Sequence, residues 1–278
     1  RAAYSCDQVF LGGKRKSLNE LPPIPLSADK VVALRAAKEV RKHELSIFGF
    51  GAAADVPLVM AEQGMFKGDG LKDYWFTTEH GSYGGIVMSG WQFSANLNPD
   101  AILDGVYQFD AIDGGLCRFA ALAFAQFDQR GLVNVSKFGV ANPGAGGFID
   151  IAQSAERLVF TGTFTTGGLD VAFDDGKLKI VKEGKVRKFA KQVEHITYAV
   201  TDGVKRGQTA QVMTERAVFE VAPEGLILTE VAPGIDVRRD VLGQMEYAPW
   251  KVADNLKLMD ARFFTDQRAA TEFAERAV

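Results

Sequence analysis

The sequence has few cysteines and no long apolar run, and each shortage narrows the class of protein. Its two cysteines, Cys6 and Cys117, are too few for a disulfide framework and lack the spacing of a metal site. No apolar run approaches the roughly 18 residues that a membrane span needs, and the start RAAYSCDQVF lacks the layout of a signal peptide. These features predict a reducing compartment, by default the cytoplasm, and no membrane association.

A strong charge of one sign is also missing. The 32 lysines and arginines nearly balance the 35 aspartates and glutamates, so no basic field predicts nucleic acid or anionic lipid as a partner. The 278 residues are 47% hydrophobic and 24% charged, which is typical of a globular chain with one large or two modest cores. The chain begins with Arg1 and not Met, which indicates a processed or truncated chain or the later part of a longer polypeptide.

Several catalytic signatures are absent from the sequence. It contains no G-x-S-x-G elbow, no G-x-x-x-x-G-K-[ST] loop and no H-E-x-x-H motif, and its three histidines are scattered. The stretch GFGAAA, which begins at Gly49, follows a strand pattern but lacks the third glycine of a dinucleotide fingerprint. Serine hydrolases, P-loop NTPases, zinc hydrolases and dinucleotide-binding enzymes are therefore disfavoured.

The chain divides into a connector and one domain. The stretch LGGKRKSLNELPPIP is rich in prolines and charges, which predicts that residues 1–26 are a connector or the end of a preceding domain. Residues 27–278 then form the domain. Ser27 is placed to cap a helix in which alanines recur at helical spacing, including Ala33 and Ala37.

Helix and strand patterns alternate through the first part of this domain. Residues Leu45 to Phe50 predict a buried strand, followed by a glycine turn and a short helix that closes at Gly64. Residues Tyr74 to Thr78 predict the next strand, and NPDAILDG and CRFAALAFAQFD add a helix and an apolar strand. The alternation predicts an α/β fold with an open, mostly parallel sheet and flanking helices.

The pattern changes after Gly162. LDVAFDDGKLKIV and AVFEVAPEGLILTEV are short alternating runs around turn residues, which predict β-hairpins added to the sheet. From Asp254 onwards, spaced Leu, Met and Phe residues predict a closing helix.

Three glycine-rich turns and one glutamate are candidates for a site. Glu79, in YWFTTEHGSYGG, lies at the carboxyl end of a predicted strand, as either a solvated strand end or a placed reagent. The turns are Gly49 to Ala53, Gly81 to Gly85 and Asn142 to Ala152. Glycines either allow tight packing or let backbone amides approach a ligand, and a helix starting after Gly147 would aim its N-terminal donors at an anion. Three such turns beside a strand-end glutamate favour a ligand site.

The motifs TTEHGSYGG, YQFDAIDGG, GLVNVSKFG, GAGGFIDIAQSAERLVFTGTFTTGGL and TEVAPGIDV occur in this order. Together they resemble the carboxyl-terminal, glutamate-bearing half of family I CoA-transferases, and in particular the fused short-chain acyl-CoA:acetate or propionate CoA-transferases. The resemblance extends from about Leu45 to the segment around Tyr247. It implies the fold that CoA-transferases share with sugar-phosphate-isomerase-like proteins.

The resemblance also implies roles for individual residues. Glu79 matches the nucleophile of the family's E-x-G-x-x-G-G turn, and the G-x-G-G turn matches the element that supplies backbone donors. The expected oxyanion- or CoA-binding residues are Gly144, Gly146, Gly147, Gly49 and Gly51. The expected pocket residues are Tyr83, Gly84, Gly85, Trp91 and Phe93, although ordinary core packing would explain the three aromatic residues equally well. His80 is not expected to act as a base, because neighbouring residues on a strand point to opposite sides.

The implied reaction moves CoA between an acyl-CoA and a free carboxylate through a glutamyl-CoA thioester, with ping-pong kinetics. It implies no metal and no redox cofactor, since CoA is both substrate and carried group. The implied partner is a complementary half, either a separate subunit or the N-terminal part of the same gene product, within a higher oligomer.

The alternatives are a CoA-thioester hydrolase and a non-enzymatic ligand sensor on a related fold. The acyl size stays open because IVMSGWQFS, which follows the glutamate turn, departs from the family pattern. The segment KEGKVRKFAK either contacts CoA phosphates or is a solvated face.

Overall fold

The helices of this chain are short. A computed structural model describes residues 7–66, 68 and 70–266. Its α-helices are α1 (Ala28–Ala37), α2 (Val56–Glu62), α3 (Gly105–Ala111), α4 (Phe148–Ser154) and α5 (Val200–Lys205). Across the described residues, no helix combines the length and the apolar character that crossing a bilayer requires.

The strands are numbered along the chain. They are β1 (Leu45–Phe48), β2 (Trp75–Thr77), β3 (Ser82–Tyr83), β4 (Ile86–Val87), β5 (Asn96–Leu97), β6 (Ala101–Ile102), β7 (Phe119–Ala123), β8 (Gln126–Phe127), β9 (Leu132–Asn134), β10 (Arg157–Thr161), β11 (Thr165–Thr166), β12 (Asp170–Asp174), β13 (Lys177–Lys182), β14 (Val186–Arg187), β15 (Tyr198–Ala199), β16 (Thr209–Met213), β17 (Ala217–Ala222), β18 (Gly225–Val231) and β19 (Lys251–Leu258).

One large sheet organises the described residues. Its strand order is β19-β18-β17-β16-β10-β7-β1-β2-β3-β6. The five central strands, β16, β10, β7, β1 and β2, are parallel to one another. Antiparallel pairs extend the sheet on both sides, from β16 through β17 to β18 and from β2 through β3 to β6. The predicted α/β fold is confirmed.

Alternation along the central strands divides the core into two layers. Phe48 packs with helices α1 and α2 on one face of the sheet, whereas Ile47 packs with α4 and α5 on the other. The predicted cap of α1 is present, because the Ser27 hydroxyl oxygen accepts a hydrogen bond from the Lys30 N–H at 3.1 Å. The strand predicted from Leu45 is also confirmed, although it ends at Phe48. The helix predicted at NPDAILDG is wrong, because Ala101–Ile102 pair as strand β6 and α3 begins only at Gly105.

Two expectations about the second half need correction. AVFEVAPEGLILTEV forms β17 and β18 within the large sheet, but β12 and β13 form a separate two-stranded sheet. The segment from Asp254 belongs to strand β19 and a 3-10 turn, Ala261–Phe264, and not to a helix. Within β19, Leu256 packs on the core, whereas Leu258 is exposed. The rest of the predicted closing helix, like Cys6, lies outside the described residues.

The segment before Ser27 lies against the domain. The Val9 carbonyl accepts a hydrogen bond from the Asn98 N–H at 2.9 Å, and the Asn98 side chain bonds both main-chain polar groups of Lys16. Apolar residues of this segment, including Phe10, pack on the layer that holds α1 and α2. The domain boundary near Ser27 stays a prediction.

The parallel strands end at a common edge of the sheet. Their register pairs Ile47 with Thr77, and Thr161 with both Ala123 and Met213. The carboxyl ends of parallel strands are where open α/β sheets bind their ligands. The turn that carries Glu79 follows β2 at this edge.

Candidate functional site

Glu79 lies in a tight turn between two antiparallel strands. The strand β2 ends at Thr77, and the Gly81 N–H donates to the Thr78 carbonyl at 3.2 Å. This hydrogen bond closes a turn from Thr78 to Gly81 that contains Glu79. Gly81 has φ +92°, and a β-carbon there would lie 2.2 Å from the Leu103 carbonyl oxygen, so only glycine fits. The Glu79 side chain is half-buried and has no hydrogen bond or ion pair to the described residues. Its carboxylate is therefore available to a ligand.

The turn opens onto a cleft of about 680 Å³, which we call the Glu79 cleft. Its lining residues are Glu79, His80, Gly105, Phe109, Gly146, Gly147 and Asp150. The walls come from the β2–β3 turn, from α3 and from the start of α4. Residues far apart in sequence therefore meet around one carboxylate.

Gly147 lies directly against Glu79. A β-carbon built on Gly147 would be 3.4 Å from the Glu79 Cβ and 2.8 Å from the Phe109 Cζ. Gly146 has φ +54° with open space around its α-carbon, and α4 begins immediately after Gly147, as predicted. Among the described residues, neither N–H of this glycine pair donates to a protein acceptor. Both are thus available beside the carboxylate.

The remaining predicted glycines do not line the cleft. Gly144 precedes it in the loop before α4, where its N–H donates to the Ser136 carbonyl at 3.1 Å. The Gly49 N–H donates to the Ala121 carbonyl at 2.8 Å, which places Gly49 against strand β7. Gly51 follows it at the start of a 3-10 turn, Gly51–Ala53, with open space around its α-carbon. Gly49 and Gly51 share the sheet edge with Glu79.

Gly84 and Gly85 are packed against a neighbouring chain segment. A β-carbon on Gly84 would lie 2.1 Å from the Asp100 Oδ2, and one on Gly85 would lie 2.0 Å from the Leu97 carbonyl oxygen. Tyr83, on β3, directs its hydroxyl into the interior, where it is buried beside the Gln108 amide. Burial raises the pKa of the Tyr83 phenol. The structure therefore gives these three residues packing positions beneath the turn.

The two other predicted pocket aromatics lie at the surface side of the turn. Trp91 is 75% exposed and is absent from the cleft lining. Phe93 makes edge-to-face contacts with Phe50 at 5.5 Å and with His80 at 5.9 Å between ring centroids. Phe93 therefore reaches the site only through His80.

His80 lines the cleft beside Glu79, so its side chain does not point away from Glu79 as strand alternation predicted, and the prediction that it is not a base stays a prediction. Strand alternation does not apply to these neighbours because both residues lie in the turn after β2 has ended. Whether Glu79 and His80 lie on the strand or in the turn depends on the last residue of β2. The apolar pattern of the sequence could not locate that residue exactly.

Sequence reasoning missed three further lining residues, which are Gly105 and Phe109 on α3 and Asp150 on α4. Phe109 belongs to the quoted motif YQFDAIDGG, which was a usable signal for its importance. Asp150 follows the glycine pair by one helical turn, which was a weaker signal. Among the described residues, no group of three His, Cys, Asp or Glu side chains is arranged to hold a metal ion.

An apolar surface borders the cleft on α3 and the strand before it. Its residues, which we call the α3 face, are Ile102, Leu103, Val106 and Tyr107. Val106 and Tyr107 are each 68% exposed, and Ile149 of α4 is 47% exposed. Large contiguous apolar side chains on a surface are typical of an interaction site.

Comparison with known proteins finds relatives but no matching family model. Acetate CoA-transferase YdiF of Escherichia coli K12 is 42% identical over 243 residues, which cover 87% of this chain and 45% of that protein. Caffeate CoA-transferase of Acetobacterium woodii is 38% identical over 266 residues, or 94% of this chain and 49% of that protein. The chain spans about half the length of both relatives. The beta subunit of acetate CoA-transferase from Haemophilus influenzae is 24% identical over 84% of this chain and 96% of that subunit.

Solved structures of an acyl-CoA transferase also match this chain. The crystal structure of the acyl-CoA transferase YdiF apoenzyme from Escherichia coli O157:H7 matches with a TM-score of 0.85 at 38% identity. The match covers 95% of this chain and 48% of that one. A thioester complex of the same transferase with CoA matches with a TM-score of 0.80 at 40% identity, over 89% of this chain and 46% of that one.

Proposed function

The chain is related to the CoA-transferases along most of its length, and from this relationship we propose that it carries the covalent half-site of a CoA-transferase. The proposed reaction exchanges CoA between an acyl-CoA and a free carboxylate. The observation that carries the proposal is that Glu79 and the glycine pair Gly146 and Gly147 line one cleft, with Gly147 next to Glu79. A carboxylate without a protein partner beside two undonated N–H groups suits acyl transfer.

The first half of the reaction loads CoA onto the protein. A Glu79 carboxylate oxygen attacks the thioester carbonyl carbon, the C–S bond breaks, and CoA leaves as a thiolate from a mixed anhydride. The thiolate then attacks the Glu79 carbonyl carbon and releases the donor acid as a carboxylate. Glu79 is left as a CoA thioester, and an incoming carboxylate repeats these steps in reverse. Each exchange is between activated carboxyl derivatives, so the thioester energy is retained.

Each attack creates an oxyanion that needs hydrogen-bond donors. We assign this role to the N–H groups of Gly146 and Gly147, which adjoin Glu79 and precede helix α4. One such donor contributes about 3 kcal/mol to transition-state stabilisation in comparable sites. The same step explains a glycine at position 147, because a larger residue would fill the space beside the carboxylate.

The complete enzyme needs more than this chain. Relatives at 38–42% identity are about twice as long, and a related protein of matching length is named a beta subunit. We propose that a complementary half packs on the α3 face, as a separate subunit or as the other part of one polypeptide, and closes the cleft against water. Acetate is the carboxylate in the names of two of these relatives and caffeate is the one in the third, and we propose a carboxylate of this kind as the acceptor. The cytoplasm remains the expected compartment on the cysteine content alone.

Covalent labelling tests the central step. The chain, assembled with its complementary half, is incubated with acyl-CoA and no acceptor, and the intact mass and peptide map are measured. We expect a CoA adduct on Glu79. Glu79→Gln should abolish both the adduct and the transfer, because a neutral amide is a much weaker nucleophile than a carboxylate. Glu224→Gln, a change at an exposed turn, is the matched control and should label normally. An adduct on another residue would refute the assignment.

The same experiment separates transfer from hydrolysis. A hydrolase would release free thiol continuously without a carboxylate acceptor. A transferase would release no free thiol: it would release one equivalent of the donor carboxylate while CoA stays on Glu79, and it would form acetyl-CoA when acetate is added. Continuous release at a rate equal to turnover would favour the hydrolase alternative. A ligand sensor would give neither adduct nor thiol.

A further inference from the structure

Gln108 is a fully buried polar residue in contact with the Glu79 turn. It lies on α3 with 0% exposure, one residue before the cleft residue Phe109. Its Nε2 donates to the Thr78 carbonyl oxygen at 2.8 Å and to the Thr77 hydroxyl oxygen at 3.1 Å. The Thr78 carbonyl belongs to the peptide unit that precedes Glu79. Gln108 therefore holds the backbone from which the carboxylate projects.

The hydrogen bonds around Gln108 join both strands of the hairpin. The Thr77 hydroxyl donates onward to the Ser82 carbonyl at 2.7 Å, which connects β2 with β3 across the turn. The Thr78 carbonyl accepts from the Gly81 N–H as well as from Gln108. The turn is thus fixed at its first residue by a side chain from a separate helix.

A second buried amide, Asn96, has a different task. Its Nδ2 donates to the Gly84 carbonyl at 2.7 Å and to the Phe76 and Ser82 carbonyls at 3.3 Å each. These acceptors flank the hairpin strands and not the turn. Asn96 therefore supports the strands, whereas Gln108 contacts the residue next to Glu79.

Stability does not explain Gln108. Its Oε1 is buried without a hydrogen-bond partner. A buried unsatisfied polar atom costs about 1–3 kcal/mol. An apolar side chain of the same length would avoid this cost, and the Gly81 N–H would still satisfy the Thr78 carbonyl. The Gln108 side chain therefore stabilises the turn through its hydrogen bonds, while its unsatisfied oxygen destabilises the core.

We propose that Gln108 is a positioning residue that holds the Thr78–Glu79 peptide, and thereby the attacking carboxylate, against Gly147. This inference rests on the proposed function of Glu79. Helix α3 then sets two parts of the site at once, since Gln108 fixes the turn while Phe109 contacts the glycine from the opposite wall. Because misplacing a reacting group by about 1 Å can cost about a hundredfold in rate, holding this peptide contributes to kcat.

Gln108→Met tests the proposal because it keeps the length of the side chain and removes the amide. In the assembled enzyme, kcat for CoA transfer should fall by about tenfold to a hundredfold, with KM within about threefold of the parent. The matched control is Gln208→Met. The Gln208 amide also donates to main-chain carbonyls, those of Ala152 and Ala155 at the other end of α4, so its loss should lower the melting temperature without this kcat effect.

Hydrogen exchange at the Gly81 amide gives a second readout that needs no activity. This amide closes the turn, so its exchange should accelerate on the order of tenfold in Gln108→Met and stay at the parent value in Gln208→Met. If the parent forms no CoA adduct, the proposed function of Glu79 fails, and the exchange rate alone decides whether Gln108 holds the turn. Parent-like kcat together with parent-like exchange in Gln108→Met would overturn the inference. A kcat loss equal to that of Gln208→Met would also overturn it.

Discussion

Gly146 and Gly147 are adjacent, but a β-carbon would meet different surroundings at each. Gly147 has an ordinary φ of −76°, so Gly147→Ala adds no backbone strain and places a methyl group between Phe109 and Glu79. We expect turnover of the assembled enzyme to fall by at least about tenfold while stability changes little, because the added carbon enters the reacting space. Steady-state kinetics and thermal unfolding measure the two effects.

Gly146→Ala serves as the comparison within the same turn. It has φ +54° and no atom within 4 Å of an added β-carbon, so its cost is backbone strain of about 1 kcal/mol and not crowding. We expect a lower melting temperature with a smaller loss of turnover than in Gly147→Ala. Equal turnover in the parent and in Gly147→Ala would contradict the assignment of Gly147 to the reacting space beside Glu79.

Lys188 is a buried ammonium that the proposed mechanism does not use. It is 7% exposed, its Nζ lies 3.9 Å from the centre of the Phe124 ring, and burial lowers its pKa from 10.5 to about 8. Below pH 8 both the folded and unfolded states carry the proton, so the folded state bears the full cost of about 3 kcal/mol. Between pH 8 and 10.5 the folded state binds fewer protons than the unfolded state, and this cost disappears as pH rises.

Lys188→Met should therefore raise the free energy of unfolding at pH 7, by up to about 3 kcal/mol. The gain should shrink steadily from pH 8 to pH 10.5. Urea unfolding of parent and variant across this range measures the difference, and Lys179→Met, at an exposed position on β13, should show no such trend. A gain that is independent of pH would contradict the stated cause.

At the scale of elements, Arg216 links the second half of the fold. Its buried guanidinium donates to Glu215 at 2.6 Å, to Glu183 at 2.7 Å and to the Asp240 carbonyl at 3.0 Å. Glu215 in turn accepts from the Phe164 N–H at 2.8 Å. The turn between β16 and β17 is thereby joined to the segments that follow β13 and β10.

Arg216→Ala should destabilise the protein by about 3–5 kcal/mol, because it leaves the fully buried Glu215 carboxylate without its cation. Arg239→Ala is the control. Arg239 also pairs with an aspartate, at 2.7 Å, but its side chain is 73% exposed, so water replaces the pair at little cost. Chemical denaturation measures both, and similar losses in the two variants would contradict the argument from burial.

At the scale of the whole molecule, the α3 face predicts how the two halves assemble. The chain alone should catalyse little or no transfer, and adding the complementary half should restore it, because the cleft is open to water without a cover. Tyr107→Lys should weaken assembly and raise the amount of partner needed for half-maximal activity by at least about tenfold. Leu258→Lys, on the edge strand β19 at the opposite end of the sheet, should leave that amount unchanged. Full activity of the chain alone as a monomer would refute the two-half proposal.

Local patterns predicted most of the central sheet. The strand from Leu45, the cap at Ser27 and the hairpin of β17 and β18 all follow from propensity and periodicity over a few residues. The segment from Asp254 was misjudged because spaced apolar residues fit a strand or a helix equally well over a short stretch. The choice there depends on pairing with β18, which is a long-range contact.

The proposed reagent, Glu79, and the glycine pair could be picked out from the sequence, because residues within recognisable motifs are local features. The distance between Glu79 and Gly147 could not be predicted from the sequence, because the two residues belong to different elements that come together only when the sheet is packed. The same holds for Phe109 and Gln108, whose helix packs against the turn. It also holds for Trp91, which was expected to line the pocket and is exposed at the surface. Local sequence fixes short-range backbone preferences and side-chain chemistry, whereas distances between side chains depend on how helices and strands pack.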